Sequence, residues 1–224
     1  MITINQKLSS DLIIAAHGFE QLRNNCKNYL SKFELNFDKF TVVPHDSFIG
    51  YITEYFLRGY INSRYSAGSV NTWESRFDIS RVINILKVNS KANEDVQYVR
   101  SYFYDQWDLE ITRAGACLLI DIKTALTQRE PKLSWDFMYP VLQAHKPGKN
   151  YMILSYYVVD NVKDIESLKK LVIIGYTSEE LIKTCKVIKA GTLTRFGTKS
   201  QIDNYETELA VHYQDIDKLI ALLN

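Results

Sequence analysis

The chain reads as an α/β domain in which a mixed central sheet of about five strands is flanked by helices. Three observations predict this. Leu12, Ala15, Ala16, Phe19, Leu22, Cys26 and Leu30 recur at helical spacing within residues 7–34. Tyr151 to Val158 and Leu171 to Tyr176 are continuous apolar runs of strand length, as expected of strands covered on both faces. Ahead of them lie two acidic strands, Trp107 to Ile111 and Leu118 to Lys123, joined by the tight-turn sequence Arg113-Ala114-Gly115-Ala116.

The remaining elements follow in order. Thr41 to Pro44 forms a short extended piece ending at the proline, and Asp46 or Ser47 caps a helix running to about Ser63. Residues 64–77 are polar and loop-like. Phe77 to Val88 forms a helix with Ile79, Val82, Ile83 and Leu86 on one side, while Glu94 to Tyr102 fits more than one state. Beyond Thr124 a polar stretch through Lys132 reads as a loop or flap. Trp135 to His145 reads as a helix that Pro140 kinks or splits, and Lys146 to Lys149 as a turn. Ser178 caps a further helix. Thr192 to Asn204 is a glycine-punctuated loop, Tyr205 to Tyr213 a half-exposed strand, and Asp215 the cap of a last helix, Ile216 to Leu223.

Length and composition narrow the function. A chain of 224 residues is ample for one domain with a real core. It holds no apolar run of membrane-span length and no signal-peptide pattern, so a cytoplasmic location is expected. Cys26, Cys117 and Cys185 are odd in number and far apart, which gives neither a zinc spacing nor a disulfide framework. The four histidines are scattered, and neither a phosphate-binding glycine loop nor a Gly-x-Ser-x-Gly elbow is present. A net charge of +1 neither supports nor excludes nucleic-acid binding, which depends on a local basic stripe.

The acidic hairpin carries the chemistry. In a strand, Asp121 and Lys123 point to one face and Leu118, Ile120 and Ile122 to the other. With Ala114-Gly115 as the turn, opposed residue numbers sum to 229 and Asp108 falls opposite Asp121. Opposed side chains have Cβ atoms roughly 4.5–5.5 Å apart, so two carboxylates there repel unless a cation lies between them. An exposed charged hairpin face is the alternative, with Lys123 offsetting the repulsion. A third acid, Glu54, lies on the Ser47 to Ser63 helix in a sector shared with Gly50, Leu57 and Ile61. A half-buried glutamate needs a partner: an arginine such as Arg58 or Arg64, backbone donors, or a metal.

Gly50-Tyr51-Ile52-Thr53-Glu54, then Asp108, then Ile120-Asp121-Ile122-Lys123 with twelve residues between the two aspartates, resembles the PD-(D/E)XK nuclease superfamily. Trp107 stands where that pattern has proline. The resemblance spans about residues 47–176 and implies a restriction-endonuclease-like core. It divides a single nuclease domain, 1–224, into an N-terminal helical region (1–46), a catalytic core (47–176) and a C-terminal extension (177–224). By resemblance, Asp108, Asp121, the Ile122 carbonyl and Glu54 would hold Mg²⁺, with Mn²⁺ able to substitute. Lys123 would orient or deprotonate the attacking water.

The resemblance further implies cleavage of double-stranded DNA, in the manner of a sequence-specific type II restriction enzyme acting as a homodimer. A same-fold nuclease of repair, recombination or transposition, and a non-catalytic nucleic-acid-binding protein, are the alternatives. Base readout calls for arginine, lysine, asparagine or glutamine on protruding loops. The candidates are Arg64, Asn71, Arg76, Gln128, Arg129, Lys132, Arg195, Lys199, Gln201 and Asn204. For any single one of them, an ordinary solvated surface residue is the better reading.

Overall fold

The computed structural model describes residues 1–33, 45–64, 69–113, 115–144, 149–194, 197 and 199–222. The expected extended piece at Thr41 to Pro44, most of the turn at Lys146 to Lys149, and Arg195 lie outside the described residues.

Strand β1 (Ile2–Ile4) leads into α1 (Ser10–Leu30), whose first turn is capped by Ser9, its hydroxyl accepting from Leu12 N–H. Then follow α2 (Asp46–Arg64), β2 (Ser69–Thr72), a 3₁₀ turn (Trp73–Arg76), α3 (Ile79–Val88) and α4 (Asn93–Phe103). The hairpin is β3 (Leu109–Arg113) and β4 (Ala116–Thr127). After it come β5 (Asp136–Pro140), α5 (Val141–Ala144), β6 (Tyr151–Val159), β7 (Leu168–Ser178), α6 (Glu179–Lys183), β8 (Lys186–Ile188), β9 (Asn204–Glu208), α7 (Leu209–His212) and α8 (Ile216–Ala221).

The protein is an α/β fold built on a mixed six-stranded sheet of order β1-β7-β6-β4-β3-β2. Only β4 and β6 run parallel; the other neighbours are antiparallel. A second sheet, β5-β9-β8, has three antiparallel strands. The central strand β6 is buried along both faces, as its unbroken apolar sequence requires. Ile153, Tyr157 and Val159 pack into the core shared with α1, α2 and α8, beside Phe48, Ile52, Leu57 and Leu219. Leu154, Tyr156 and Val158 pack on the opposite side with Trp135, Phe137, Leu209 and Tyr213. Helices therefore cover one face of the main sheet, and the smaller sheet covers part of the other.

Several expectations need correction. The 64–77 stretch contains strand β2, whose one buried side chain is Val70; an edge strand with so little apolar content shows no periodicity. Glu94 to Tyr102, which the sequence leaves open between states, lies within α4. Strand β4 extends through Thr127, so the loop after it begins at residue 128. Asp136–Pro140 is a strand where a helix was expected: the aromatic residues pair with β9, Tyr139 is fully buried, and Pro140 ends the strand. Tyr205 to Tyr213 is strand only to Glu208 and then turns into α7.

Candidate active site

The hairpin has the register that places its two acids together. Leu109 pairs with Ile120, Glu110 with Leu119 and Ile111 with Leu118. Gly115, at φ +85°, supplies the left-handed residue of the turn. Asp108 stands one residue before β3, where the ladder ends at Leu109 opposite Ile120, and its N–H also donates to the Ile120 carbonyl, at 2.8 Å. Its Oδ2 in turn accepts the N–H of Ile122. Asp121 and Lys123 lie two apart on β4 and share a face. Lys123 Nζ sits 3.2 Å from Asp121 Oδ1 and 3.1 Å from Oδ2.

Helix α2 is fastened to this strand beside both functional positions. Thr124 Oγ1 donates to Thr53 Oγ1 at 3.2 Å and lies 2.9 Å from Ser155 Oγ, tying α2 to β4 and β6. Thr53 adjoins Glu54 in α2 and Thr124 adjoins Lys123 in β4, so one hydroxyl chain holds the helix against the strand next to these residues in sequence. No ion pair joins Glu54 to Arg58 or Arg64 among the described residues. Arg64 instead donates to the Tyr60 hydroxyl at 2.9 Å.

Charge at the site is unbalanced. Burial pushes the Glu54 carboxyl well above the usual range, and the carboxylates of Glu74, Asp108 and Asp105 push it further, against the opposing effect of Arg23. Asp108 is likewise raised, first by burial and then by Asp121. Burial works against the charge of Lys123, but Asp121, Asp108 and Asp105 raise its pKa overall, so it is held as an ammonium.

Three residues that sequence reasoning missed converge on Asp121. Lys149, just before β6, has a side chain only 1% exposed and places Nζ 3.4 Å from Asp121 Oδ2 and 3.3 Å from Glu179 Oε1. Tyr139, on the smaller sheet, reaches Asp121 Oδ2 at 3.5 Å and Glu179 Oε1 at 3.3 Å and is hydrogen-bonded to Lys149 Nζ. Glu179 opens α6; its Oε2 is buried without a hydrogen-bond partner among the described residues. Ser178 as a cap was the one legible signal nearby. The acids Glu74 and Asp105 were also missed: both lie in short segments that approach Glu54 only through the fold.

Among the described residues, no three His, Cys, Asp or Glu side chains form a group that could by itself hold a metal ion. The donor chemistry nonetheless suits a hard divalent cation. Mg²⁺ is commonly held by one or two carboxylates, with waters and phosphate oxygens completing its shell. Asp108 and Asp121 would be that pair, with the Ile122 carbonyl in the chain between Asp121 and Lys123, and a cation would relieve the repulsion among the acids around Glu54 and Asp108.

The residues proposed to read DNA are dispersed. Arg76 is exposed and lies over the rings of Trp73 and Trp107, at 4.9 and 5.0 Å, next to Asp108 in sequence. Asn71 is on β2, opposite Glu110, with its amide donating to Ser69 Oγ at 3.3 Å. Gln128, Arg129 and Lys132 are exposed beyond the far end of β4, and Gln128 donates to the Asp160 carbonyl at 2.6 Å. Five residue steps separate Lys123 from Gln128, roughly 17 Å at about 3.3 Å per step. Arg64, Lys199 and Gln201 are exposed. Asn204 must be withdrawn as a base reader: it is buried, and its amide donates to Ser200 Oγ at 2.8 Å and the Ile202 carbonyl at 2.9 Å.

No helix among the described residues is long and apolar enough to cross a membrane. Comparison with protein-family models, curated proteins and solved structures finds no match to this chain.

Proposed function

We propose that the protein is a Mg²⁺-dependent endonuclease that hydrolyses phosphodiester bonds of double-stranded DNA, sequence-specifically and as a homodimer. One observation carries the reading: the hairpin sets Asp108 against Asp121, with the Lys123 ammonium on the same carboxylate. Two neighbouring acids, one buried and one half-buried, are unfavourable in isolation, and a site that retains them has a use for their charge.

Asp108, Asp121 and the Ile122 carbonyl would hold the ion, with Glu54 reaching it through water. When bound, Mg²⁺ supplies Lewis-acid polarisation of a phosphoryl oxygen and lowers the pKa of coordinated water. The chain's own groups do the rest. Lys123 donates to the oxygen of the attacking water, fixing its position and turning its protons toward the carboxylates. Held as an ammonium, Lys123 also offsets negative charge that builds on the phosphate. Asp108, ionised as a ligand of the ion, would be no base; Glu54, which would meet the ion only through water, is the carboxylate left to accept a proton from that water. The preference for double-stranded DNA and the two-fold dimer rest on the family resemblance alone.

Incubation of a supercoiled plasmid of known sequence with the protein, in Mg²⁺ and in EDTA, tests the reading. Discrete fragments in Mg²⁺ alone are expected. Nicking that follows DNA structure would reassign the protein to repair, recombination or transposition. No cation-dependent cutting would leave a non-catalytic protein.

A further inference from the structure

Behind Asp121 lies a buried apparatus that the hairpin pattern does not include. Lys149 is enclosed by Asp121, Glu179 and Tyr139, and at 1% side-chain exposure it cannot touch a substrate. Its backbone is anchored through the residue that follows. Asn150 N–H donates to the Leu119 carbonyl at 2.9 Å, its Oδ1 accepts from Leu119 N–H at 3.3 Å, and its carbonyl accepts from Glu179 N–H at 3.3 Å. Lys149 is thus fixed to β4 on one side and to the start of α6 on the other.

We propose that Lys149, braced by Glu179 and Tyr139, is a positioning residue that orients the Asp121 carboxylate for a divalent cation; this rests on reading the hairpin as a cation site. Lys149 and Tyr139 both act on Oδ2 of Asp121, while Lys123 spans both oxygens from the more open side, its own side chain 27% exposed. A carboxylate gripped from two sides cannot rotate about its own axis without breaking one of these contacts. Glu179 balances the charge of Lys149, so orientation is achieved without adding net positive charge beside the cation.

The competing role, a plain counter-ion, predicts the opposite sign. Removing a counter-ion next to a cation ligand tightens cation binding, whereas removing a positioning group loosens it. Mn²⁺ binding to the full chain, followed by water-proton relaxation, separates the two without any need for turnover. The variant Lys149→Met with Glu179→Gln removes the lysine while keeping the local charge balance. It is expected to fold, by circular dichroism, and to bind Mn²⁺ about 10-fold or more weakly, the scale seen when outer partners of metal ligands are lost. Tyr139→Phe, which keeps the ring and removes the hydroxyl, is expected to show a smaller loss in the same direction.

Equal or tighter Mn²⁺ binding in the double variant overturns the assignment. Should that variant not fold, Tyr139→Phe decides by the same criterion. A wild-type chain that takes up no Mn²⁺ overturns both this inference and the cation-dependent reading. A wild-type chain that binds Mn²⁺ but cuts no DNA defeats the nuclease reading alone.

Discussion

Asp108 brackets Asp121. The N–H of Asp108 donates to the carbonyl of Ile120, and its carboxylate accepts the N–H of Ile122, so it holds β4 on either side of the second acid. One side chain therefore has two jobs, a structural hydrogen bond and a negative charge, and substitution can separate them. Asp108→Asn keeps an acceptor for Ile122 and removes the charge. It should abolish cutting yet raise the stability of the metal-free protein by about 0.2–1 kcal/mol, the scale of relief from opposed like charges. Asp108→Ala should also abolish cutting but lower stability by about 1–3 kcal/mol, because the Ile122 N–H loses its partner. Thermal unfolding in EDTA orders the two variants; equal melting temperatures would contradict the dual role.

The raised carboxyls of Glu54 and Asp108 give the metal-free protein a defined pH dependence. An acid whose folded pKa lies above its unfolded value binds more protons in the folded state, so stability is greatest below the unfolded pKa and falls as pH rises toward the folded one. In EDTA the melting temperature should therefore decline from the ordinary carboxylate range toward neutrality. Glu54→Gln should flatten that decline. Added Mg²⁺ should raise the melting temperature more at pH 8 than at pH 5, because the carboxylates must be ionised to bind it. A metal-free protein whose stability rises steadily over the same interval would show that these two acids do not dominate it.

Much of the site was legible because it is local. The register of β3 and β4 follows from one turn with Gly115 at positive φ, and Asp121 and Lys123 need only the period of a strand. Glu54 was found because its helix has apolar residues on the same flank. The residues behind Asp121 are a different case. Lys149 and Glu179 meet because β6 and β7 pair with Tyr151 opposite Ser178, and Tyr139 joins them because the smaller sheet docks over β6; no local periodicity encodes either event. Tyr139 was hidden further because Trp135 to His145 imitates a helix, whereas its pairing with β9 makes it a strand. Asn204 failed in the other direction: a polar residue at the end of a glycine-punctuated loop looks exposed, but here its amide closes the loop from inside.

Arg76 and Asn204 provide matched opposites for DNA binding. Arg76 is exposed and stacked over Trp107, beside Asp108, where a guanidinium can meet a phosphate. Arg76→Ala should weaken binding to all DNA sequences and reduce the salt dependence of affinity by about one phosphate contact, with little effect on stability. Asn204→Ala should cost about 1–3 kcal/mol of stability through lost buried hydrogen bonds and leave the salt slope unchanged. Affinity measured at several salt concentrations in EDTA, together with urea unfolding, checks both. A salt slope that moves with Asn204 and not with Arg76 would reverse the placement of the DNA surface.

Gly175 links the packing of the sheet to the site. It sits at φ +154° in β7, next to the register shift between Leu154 and Ser155, and a Cβ there would meet the Gln214 carbonyl oxygen at 2.2 Å. That oxygen accepts the Tyr176 N–H at 2.9 Å, and Gln214 N–H returns a bond to the Tyr176 carbonyl at 2.7 Å, so backbone opposes backbone and neither can yield cheaply. Gly175→Ala should cost about 1–3 kcal/mol or more. Gly191, at φ +82° with nothing near its Cβ position, bears only the conformational penalty, so Gly191→Ala should cost less, about 1 kcal/mol. The two should also differ at the site. Strand β7 ends at Ser178 and delivers Glu179 to Lys149, so a shift at Gly175 should weaken Mn²⁺ binding, while Gly191→Ala should leave it unchanged. Equal losses of stability and of Mn²⁺ affinity in both variants would show that Glu179 is not held in place from this end of the strand.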